Sequence, residues 1–527
     1  MIAVAGALCL AAGLASLAAS RAETPSAGIA PRLVLMVMDG FRPDYMNLAP
    51  MPHLHALMAS GMTYRRAWVG QLTSETPTGH ATIATGVYPR KHNVIDFGWR
   101  NPTGQGFTWM PTDLRQLAAG DMERQIEAGG APTISDLIHK KWPGAITDSM
   151  SGEKYYASDA MGTGADYILW GKASQKSIRS GKQWRIRTTA VGPHVPPKSS
   201  KYWKADLKRP PYPAQQDHFV ARLAIQLLRT VHPRAQLINF PGPDIEGHIS
   251  GGVVSPDAMR SVVKPLDGDI GRIINAYKAA GLYKNTIFLV TADHGMIPNT
   301  RIARIHKMYR AVAATGDPEM EEEFSATTAG YLYLKDNAEA PEVAAKLQTQ
   351  HFGHVEGVFY KVPDGNGFTC KAESETATKL GPAVTRAYLD LCDTFDSSSG
   401  PDVIMPYEED TLGIRVKGYG PHWGWHGGFS WSVQHIPLII SGPGVRHGVS
   451  TFPAKLVDIA PTVEQLLGLK VPAAVDGVVL SDSLIRSDNA LQAAESAVSG
   501  RRSADVDALR QHSLSQHGVY LTHHLYH

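Results

Sequence analysis

The chain has 527 residues, enough for one large domain with insertions or for two or three domains. Its hydrophobic fraction of 43% and charged fraction of 19% are ordinary for a folded globular protein and exclude a largely disordered one. The 51 basic and 49 acidic residues leave a net charge of +2, which argues against a dedicated nucleic-acid coat or a polybasic membrane binder.

Residues 1–22 are predicted to be a secretory signal peptide. The stretch up to Ser20 carries no charge and consists mostly of Ala, Leu and Gly. Ser20 and Ala22 are small residues at the −3 and −1 positions of a cleavage site after Ala22. An uncleaved N-terminal anchor is the alternative. We therefore expect a periplasmic or secreted protein with no stable membrane partner.

Two cysteines, Cys370 and Cys392, remain once the predicted signal peptide is removed. Two is the number needed for one disulfide in an oxidising compartment, and two unrelated thiols are the alternative. A bridge would close a loop of about 23 residues and stabilise the fold by roughly 3 kcal/mol in the chain-entropy model.

Short apolar runs and amphipathic stretches alternate along the chain. The apolar runs predict strands buried on both faces, and hence a parallel sheet; they are LVLMVM after Arg32, LINF after Gln236, IFLV after Thr286 and PLIISG after Ile436. The amphipathic stretches predict helices over residues 51–60, 219–230, 258–281 and 457–470. This alternation predicts an α/β sandwich with a mostly parallel central sheet and helices on both faces.

Two segments interrupt the alternation. Residues 97 to about 215 are rich in Gly, Pro, Lys and aromatic residues, and residues 300 to about 415 hold a further strand–helix–strand pattern. We expect both to be insertions that form a cap or rim over one large domain spanning residues 23–486. Residues 487–527 have no strand pattern and end in a His-rich string, which predicts a loosely packed tail and not a metal site.

Polar residues suited to metal coordination stand close to an end of each predicted strand. They are Asp39, Asp244, His248, Asp293, His294 and His426. A single Asp or His at such a place is usually a turn residue or a structural one. Six of them beside buried strands indicate two sets of three ligands, because ligands bind beyond the carboxyl ends of strands in open α/β sheets. With 22 His and only 3 Cys in the chain, mixed nitrogen and oxygen coordination of two Zn²⁺ ions fits best.

A nucleophile is expected in SETPTGH, residues 74–80, which precedes a helical pattern. A hydroxyl at a helix N-terminus meets backbone N–H groups and the positive end of the helix dipole, which favours an alkoxide and an incoming phosphate. The alternative is a simple helix cap, the commonest role of Ser and Thr at this place.

The ordered motifs MDGFRPDY, TPTGHATIATGVYP, PDIEGH, TADHGM and WHGG resemble the alkaline phosphatase superfamily. The resemblance is strongest to its nucleotide pyrophosphatase/phosphodiesterase (type I phosphodiesterase) branch, and it spans about residues 32 to 480. In the family a Thr stands four residues before a His and nine before a Thr-Gly. Thr76 has that spacing to His80 and to Thr85, so Thr76 is the implied nucleophile.

The resemblance implies an alkaline-phosphatase-like fold and a ligand set for each of two zinc ions, although other divalent ions are possible. One set is Asp39, Thr76, Asp293 and His294, and the other is Asp244, His248 and His426. The implied reaction is hydrolysis of a phosphodiester or pyrophosphate bond in a small nucleotide-type substrate, through a covalent phospho-threonine. No nucleic-acid polymer is required. The Cys- or Ser-containing motif of the related sulfatases is absent.

The sequence departs from the family at two positions that would contact substrate. Phe97 stands where family phosphodiesterases usually place an Asn, and Asn93 and Asn101 are nearby candidates for its role. Lys154 matches the Lys of the Lys-x-Arg pair in related phosphomonoesterases, but Tyr156 replaces the Arg. An alkaline phosphomonoesterase of the same fold therefore remains the alternative function. A catalytically inactive binding protein is disfavoured because all seven implied metal-site positions are filled.

Overall fold

A computed structural model of the protein describes residues 30–101, 106–172, 187–191, 212–316, 326–365, 367–395, 397–414 and 424–516. The predicted signal peptide and the His-rich string from residue 517 onward lie outside these ranges. None of the helices within them is both long and apolar enough to cross a membrane.

The described strands, numbered in chain order, form one large sheet and four small ones. They are β1 Arg32–Met38, β2 Gly61–Tyr64, β3 Trp99–Arg100, β4 Phe107–Thr108, β5 Thr147–Ser151, β6 Tyr167–Lys172, β7 Arg187–Val191, β8 Ala235–Phe240, β9 Thr286–Thr291, β10 Ile297–Pro298, β11 Arg301–Ala303, β12 Ala326–Thr327, β13 Ala329–Leu332, β14 Phe359–Asp364, β15 Gly367–Ala372, β16 Val403–Pro406, β17 Thr411–Ile414, β18 Gly424–Trp425, β19 Leu438–Ser441 and β20 Gly448–Ser450.

The described α-helices are likewise numbered in chain order. They are α1 Pro52–Ala59, α2 Thr76–Thr85, α3 Pro89–His92, α4 Leu114–Ala118, α5 Asp121–Ala128, α6 Ile134–Lys141, α7 Tyr155–Met161, α8 Tyr212–Thr230, α9 Gly242–Ser250, α10 Pro256–Ala279, α11 Ile305–Ala311, α12 Ala340–Gln348, α13 Ser374–Cys392, α14 Trp431–Gln434, α15 Ile459–Leu466 and α16 Asn489–Gln516.

The central sheet has nine strands in the order β20-β2-β19-β9-β1-β8-β5-β6-β7. Strand β1 lies in its middle, parallel to both β8 and β9, and β5 and β6 continue the parallel arrangement. Six of the seven residues of β1 are buried, as expected for an apolar strand covered on both faces. The prediction of a mostly parallel sheet is confirmed. Among the four predicted runs the one after Ile436 is the exception, because β19 is antiparallel to β9 and to β2. The edge strand β7 is likewise antiparallel to its neighbour β6.

Two groups of helices pack on this sheet. Helices α8, α9 and α10 contact one another and α1 packs on α10, while α2, α6, α7 and α15 form a second contacting group. The segments predicted as helices over 51–60, 219–230, 258–281 and 457–470 contain α1, the end of α8, most of α10 and α15. The apolar core lies between the helices and the sheet and includes the side chains of β1, β8 and β9.

The two expected insertions differ in their relation to the core. Strands β5 and β6 pair within the central sheet, so the expectation that 97–215 is wholly an insertion outside it was wrong. The polar sequence of β5, TDSMS, concealed this buried strand. The strands between residues 329 and 406 do pair in a separate four-stranded sheet, β13-β16-β14-β15, with α12 packed on it.

A disulfide between Cys370 and Cys392 joins β15 to the end of α13, with the two Cα atoms 6.0 Å apart. The adjacent backbone is tied as well, since the Cys370 N–H donates to the Asp393 carboxylate at 2.9 Å. Of the two alternatives drawn from the sequence, the disulfide is the one that the structure contains.

The expectation of a loosely packed tail was wrong for residues 489–516, which form the helix α16. Val506 and Leu509 are buried in a hydrophobic cluster with residues of the four-stranded sheet. Arg502 donates two hydrogen bonds, of 2.6 and 3.1 Å, to the buried Asp458 carboxylate. The C-terminal helix is therefore part of the packed structure.

Candidate functional site

The candidate site lies at the carboxyl ends of the central parallel strands. Asp39 directly follows β1, Asn239 lies in β8 and Asp293 follows β9 by two residues. Val37 of β1 is in register with Asn239 on one side and with Thr291 on the other, so these strand ends meet at one edge. This is the place where open α/β sheets bind ligands.

The first group of donor atoms belongs to Asp39, Asp293 and His294, which are all fully buried. One ligand atom from each lies within 4.8 Å of the others. His294 Nε2 is 3.4 Å from the Asp293 carboxylate and 3.7 Å from that of Asp39.

The second group belongs to Asp244, His248 and His426, and its donor atoms also lie within 4.8 Å of one another. Asp244 and His248 are four residues apart on α9, so both side chains project from one face of the helix. His426 follows β18, and its Nε2 is 3.3 Å from Asp244 Oδ1 and 3.2 Å from His248 Nε2.

The three histidines share a hydrogen-bonding pattern that suits metal ligands. Nδ1 of His294 faces the Gly295 carbonyl at 2.9 Å, and Nδ1 of His248 faces the Gly424 carbonyl at 2.9 Å. Nδ1 of His426 faces the Ser74 carbonyl at 3.1 Å. A carbonyl accepts only, so each Nδ1 carries the proton in the neutral ring and each Nε2 offers a lone pair.

The charge balance of the site also fits bound cations. Burial, with the neighbouring Asp293 carboxylate, raises the pKa of Asp39, while burial lowers the pKa of His294 well below its usual range. Burial alone would lower the pKa of His426, but the carboxylates of Glu75 and Asp244 raise it well above its ordinary value. Asp244 Oδ1 and Asp293 Oδ2 are buried and accept no hydrogen bond from the described residues. Crowded carboxylates and imidazole nitrogens form a donor set suited to divalent ions such as Zn²⁺.

Thr76 is the first residue of α2, with Pro77 pre-setting the helical backbone and Gly86 ending the helix in a left-handed conformation. Its Oγ1 is 3.2 Å from His294 Nε2 and 3.2 Å from Lys154 Nζ. The structure therefore places the predicted nucleophile beside the first donor group, although Thr76 is fully buried.

The three predicted substrate contacts differ in position. Lys154, which is buried, forms ion pairs with Asp39 at 3.1 Å and with Asp244, between the two donor groups. Phe97 packs edge-to-face on Tyr156, with ring centroids 4.9 Å apart. Asn93 instead donates to the Gln125 carbonyl at 3.4 Å.

Asn239, which was not among the residues predicted from the sequence, supports the first donor group. Its Nδ2 donates to Asp39 Oδ2 and to Ser151 Oγ, each at 3.0 Å, and its Oδ1 is 3.0 Å from His80 Nε2. The other ring nitrogen of His80 faces the Thr76 carbonyl at 2.7 Å. An Asn within the apolar run LINF was the available signal, because buried amides require partners.

Comparison with known proteins finds a matching family model and several relatives. The family model described as type I phosphodiesterase / nucleotide pyrophosphatase matches residues 33–384. A bis(5'-adenosyl)-triphosphatase from Xenopus laevis is 22% identical over 292 residues, which cover 54% of this chain and 52% of that protein. The match thus spans about half the length of the curated relatives.

Two solved structures resemble the overall fold. The crystal structure of the alkaline phosphatase PafA matches with a TM-score of 0.64 and 15% identity, covering 87% of this chain and all of that one. Inactive murine ectonucleotide pyrophosphatase/phosphodiesterase 5 in complex with AMP matches with a TM-score of 0.55 and 17% identity, covering 84% of this chain and 96% of that one. The predicted alkaline-phosphatase-like fold is confirmed.

Proposed function

The chain belongs to the type I phosphodiesterase/nucleotide pyrophosphatase family, and we propose that it hydrolyses phosphodiester or pyrophosphate bonds with Thr76 as the nucleophile. The observation that carries this proposal is the position of the Thr76 hydroxyl. It lies at the start of α2, 3.2 Å from His294 Nε2 of the first donor group and 3.2 Å from Lys154 Nζ, which also forms an ion pair with Asp244 of the second.

Two divalent cations, which we propose to be Zn²⁺, would be held by the two donor groups. Asp39, Asp293 and His294, together with Thr76, would hold one, and Asp244, His248 and His426 the other. When bound, the ions supply positive charge that lowers the pKa of a coordinated hydroxyl and stabilises the phosphoryl oxygens of the transition state.

The residues of the chain have distinct roles in the proposed reaction. The Thr76 hydroxyl loses its proton to solvent, Oγ1 attacks phosphorus to form a new P–O bond, and the P–O bond to the leaving group breaks with its electron pair on the leaving oxygen. Water then cleaves the phospho-threonine and restores the hydroxyl. Lys154 Nζ, 3.2 Å from Oγ1, keeps a positive charge where the phosphoryl group is transferred. Asn239 holds the Asp39 carboxylate in place through its 3.0 Å hydrogen bond.

The substrate is proposed to be a small nucleotide-type molecule. The names of the relatives support this, since one is a bis(5'-adenosyl)-triphosphatase and one structural neighbour is in complex with AMP. We further propose a periplasmic or secreted location, supported by relatives named ectonucleotide pyrophosphatases. Neither a nucleic-acid polymer nor a membrane partner is needed for this chemistry.

Replacing Thr76 with Ala tests the nucleophile. We expect hydrolysis of an aryl phosphate diester to fall by at least about a thousandfold, because covalent catalysis is lost. Elemental analysis of the purified variant should still find two metal ions per chain, because six other ligands remain. Full activity of Thr76→Ala, or a wild-type protein that binds no divalent metal, would contradict the proposal.

The preference for diesters over monoesters rests on the residues beside Lys154. A dianionic monoester is held best by an Arg fork plus a further cation. Here Tyr156, packed against Phe97, presents a neutral phenol two residues after Lys154. The alternative, an alkaline phosphomonoesterase, is favoured by the Lys154 cation between the donor groups.

Comparing kcat/KM for aryl phosphate monoester and diester at equal concentration separates the two functions. We expect the diester to be the better substrate. A strong monoester preference would replace the proposal with its alternative, and Tyr156→Arg should then leave that preference in place. If the proposal is correct, the same substitution should raise monoester hydrolysis relative to diester hydrolysis.

A further inference from the structure

Glu75 connects the proposed nucleophile to the second donor group. It directly precedes Thr76, in extended backbone that leads into α2. Its carboxylate Oε2 lies 3.1 Å from Nδ1 of His426, and only 12% of the Glu75 side chain is exposed. Glu75, just before a helix, and His426, in a loop far away in sequence, thus meet in the site.

The surroundings of this contact leave room for the carboxylate. A Cβ atom added to Gly427 would lie 2.2 Å from Glu75 Oε1, and Gly427 has a φ of +104° that other residues rarely adopt. The loop that carries His426 is fixed by hydrogen bonds from Thr328 to the His426 carbonyl, at 2.8 Å, and from Tyr331 to the Gly427 carbonyl, at 3.0 Å. The Glu75–His426 contact is therefore set by packing on both sides.

The orientation of the His426 ring follows from these contacts. Nδ1 faces the Ser74 carbonyl, its hydrogen-bond acceptor, and the Glu75 carboxylate at ion-pair distance, so Nε2 must face the opposite way. There it lies 3.3 Å from Asp244 and 3.2 Å from His248. The ring also stacks on His294, with centroids 3.6 Å apart.

We propose that Glu75 is a positioning residue, which orients His426 and makes it a better metal ligand while tying the second donor group to the backbone of the nucleophile. The inference rests on the proposed function, because it assumes that the second group binds a metal. A carboxylate that accepts the second N–H of a ligating histidine fixes the ring and raises its basicity. Loss of such a partner typically weakens metal binding by about 10–100-fold.

The experiment measures zinc release from purified protein by titration with a chromogenic chelator. Wild type should bind two zinc ions per chain. Glu75→Ala should release one of the two at a free chelator concentration about 10–100-fold lower than wild type, and hold the other unchanged. Glu75→Gln keeps a side-chain oxygen near Nδ1 of His426 but removes the negative charge. The chelator concentration at which it releases this zinc should lie between those of wild type and Glu75→Ala.

Glu408→Gln is the matched control, since Glu408 faces His354 Nδ1 at 3.0 Å in a partly exposed pair that includes none of the six donor residues. It should release zinc as wild type does. Thermal unfolding of the metal-free proteins checks folding, and Glu75→Gln serves if Glu75→Ala does not fold. Unchanged release of both ions from a folded Glu75 variant would overturn the inference while leaving the proposed function intact. A wild type that binds no divalent metal would refute the proposed function itself.

Discussion

Removing the charge of Glu464 should stabilise the protein in alkaline solution. Glu464 lies in α15 without solvent exposure, and neither of its carboxylate oxygens has a hydrogen-bond partner among the described residues. Burial raises the pKa of Glu464 from 4.5 to about 8. The folded protein therefore retains a proton that the unfolded chain releases in this window, so stability is lost as the pH rises from 4.5 through 8.

The magnitude follows from the same shift. With these two pKa values the free energy of unfolding falls by about 4 kcal/mol between about pH 5 and pH 9 because of this group alone. Glu464→Gln keeps the size of the side chain but has no charge to lose. The free energy of unfolding of the variant, minus that of wild type, should therefore rise by about 4 kcal/mol over this interval.

Urea unfolding of both proteins at each pH gives this difference directly. Subtracting the free energy of unfolding of wild type from that of the variant cancels the contributions of the other titrating groups. The exposed Glu342 on α12 supplies the control, because Glu342→Gln should change the difference by less than about 0.5 kcal/mol. A Glu464→Gln difference that stays constant from about pH 5 to pH 9 would refute the reasoning, because it would show that the carboxylate is charged in the folded protein at both pH values.

Three further predictions concern stability and activity. Burial lowers the pKa of His92 to about 3, so stability that is present above pH 6.5 should be lost as the pH falls from 6.5 towards 3. Urea unfolding of His92→Gln should show a smaller loss of stability over this interval, and a pH dependence equal to that of wild type would contradict the prediction. Replacing Cys370 and Cys392 with Ala should lower the free energy of unfolding by about 3 kcal/mol, and reductant should not lower the stability of this variant further. A wild-type protein whose stability is insensitive to reductant would contradict this prediction. Asn239→Ala should lower metal affinity or kcat by about 10–100-fold because Asp39 loses a hydrogen bond, and a KM effect alone would count against that role.

The metal-ligand set illustrates how much of the site the sequence could predict. Asp39, Asp293 and the other four Asp and His residues stand beside apolar runs, and parallel strands necessarily bring their carboxyl ends to one edge. The structure joins them in the two groups that the motifs implied. Asn239 and Glu75 were missed because their roles depend on partners far away in sequence, Asp39 and His426, and no local pattern records such contacts.

The sequence by itself determined the strands that are apolar throughout and the helices with an apolar face, because burial imposes those patterns locally. Only the tertiary structure decided three features. The direction of β19 depends on its neighbours, since an apolar run reads the same in parallel and antiparallel pairing. The polar strand β5 is buried because its side chains find partners, as Ser151 does with Asn239. Helix α16 is mostly polar, and it packs because Arg502 meets Asp458 and because Val506 and Leu509 reach an apolar cluster formed elsewhere.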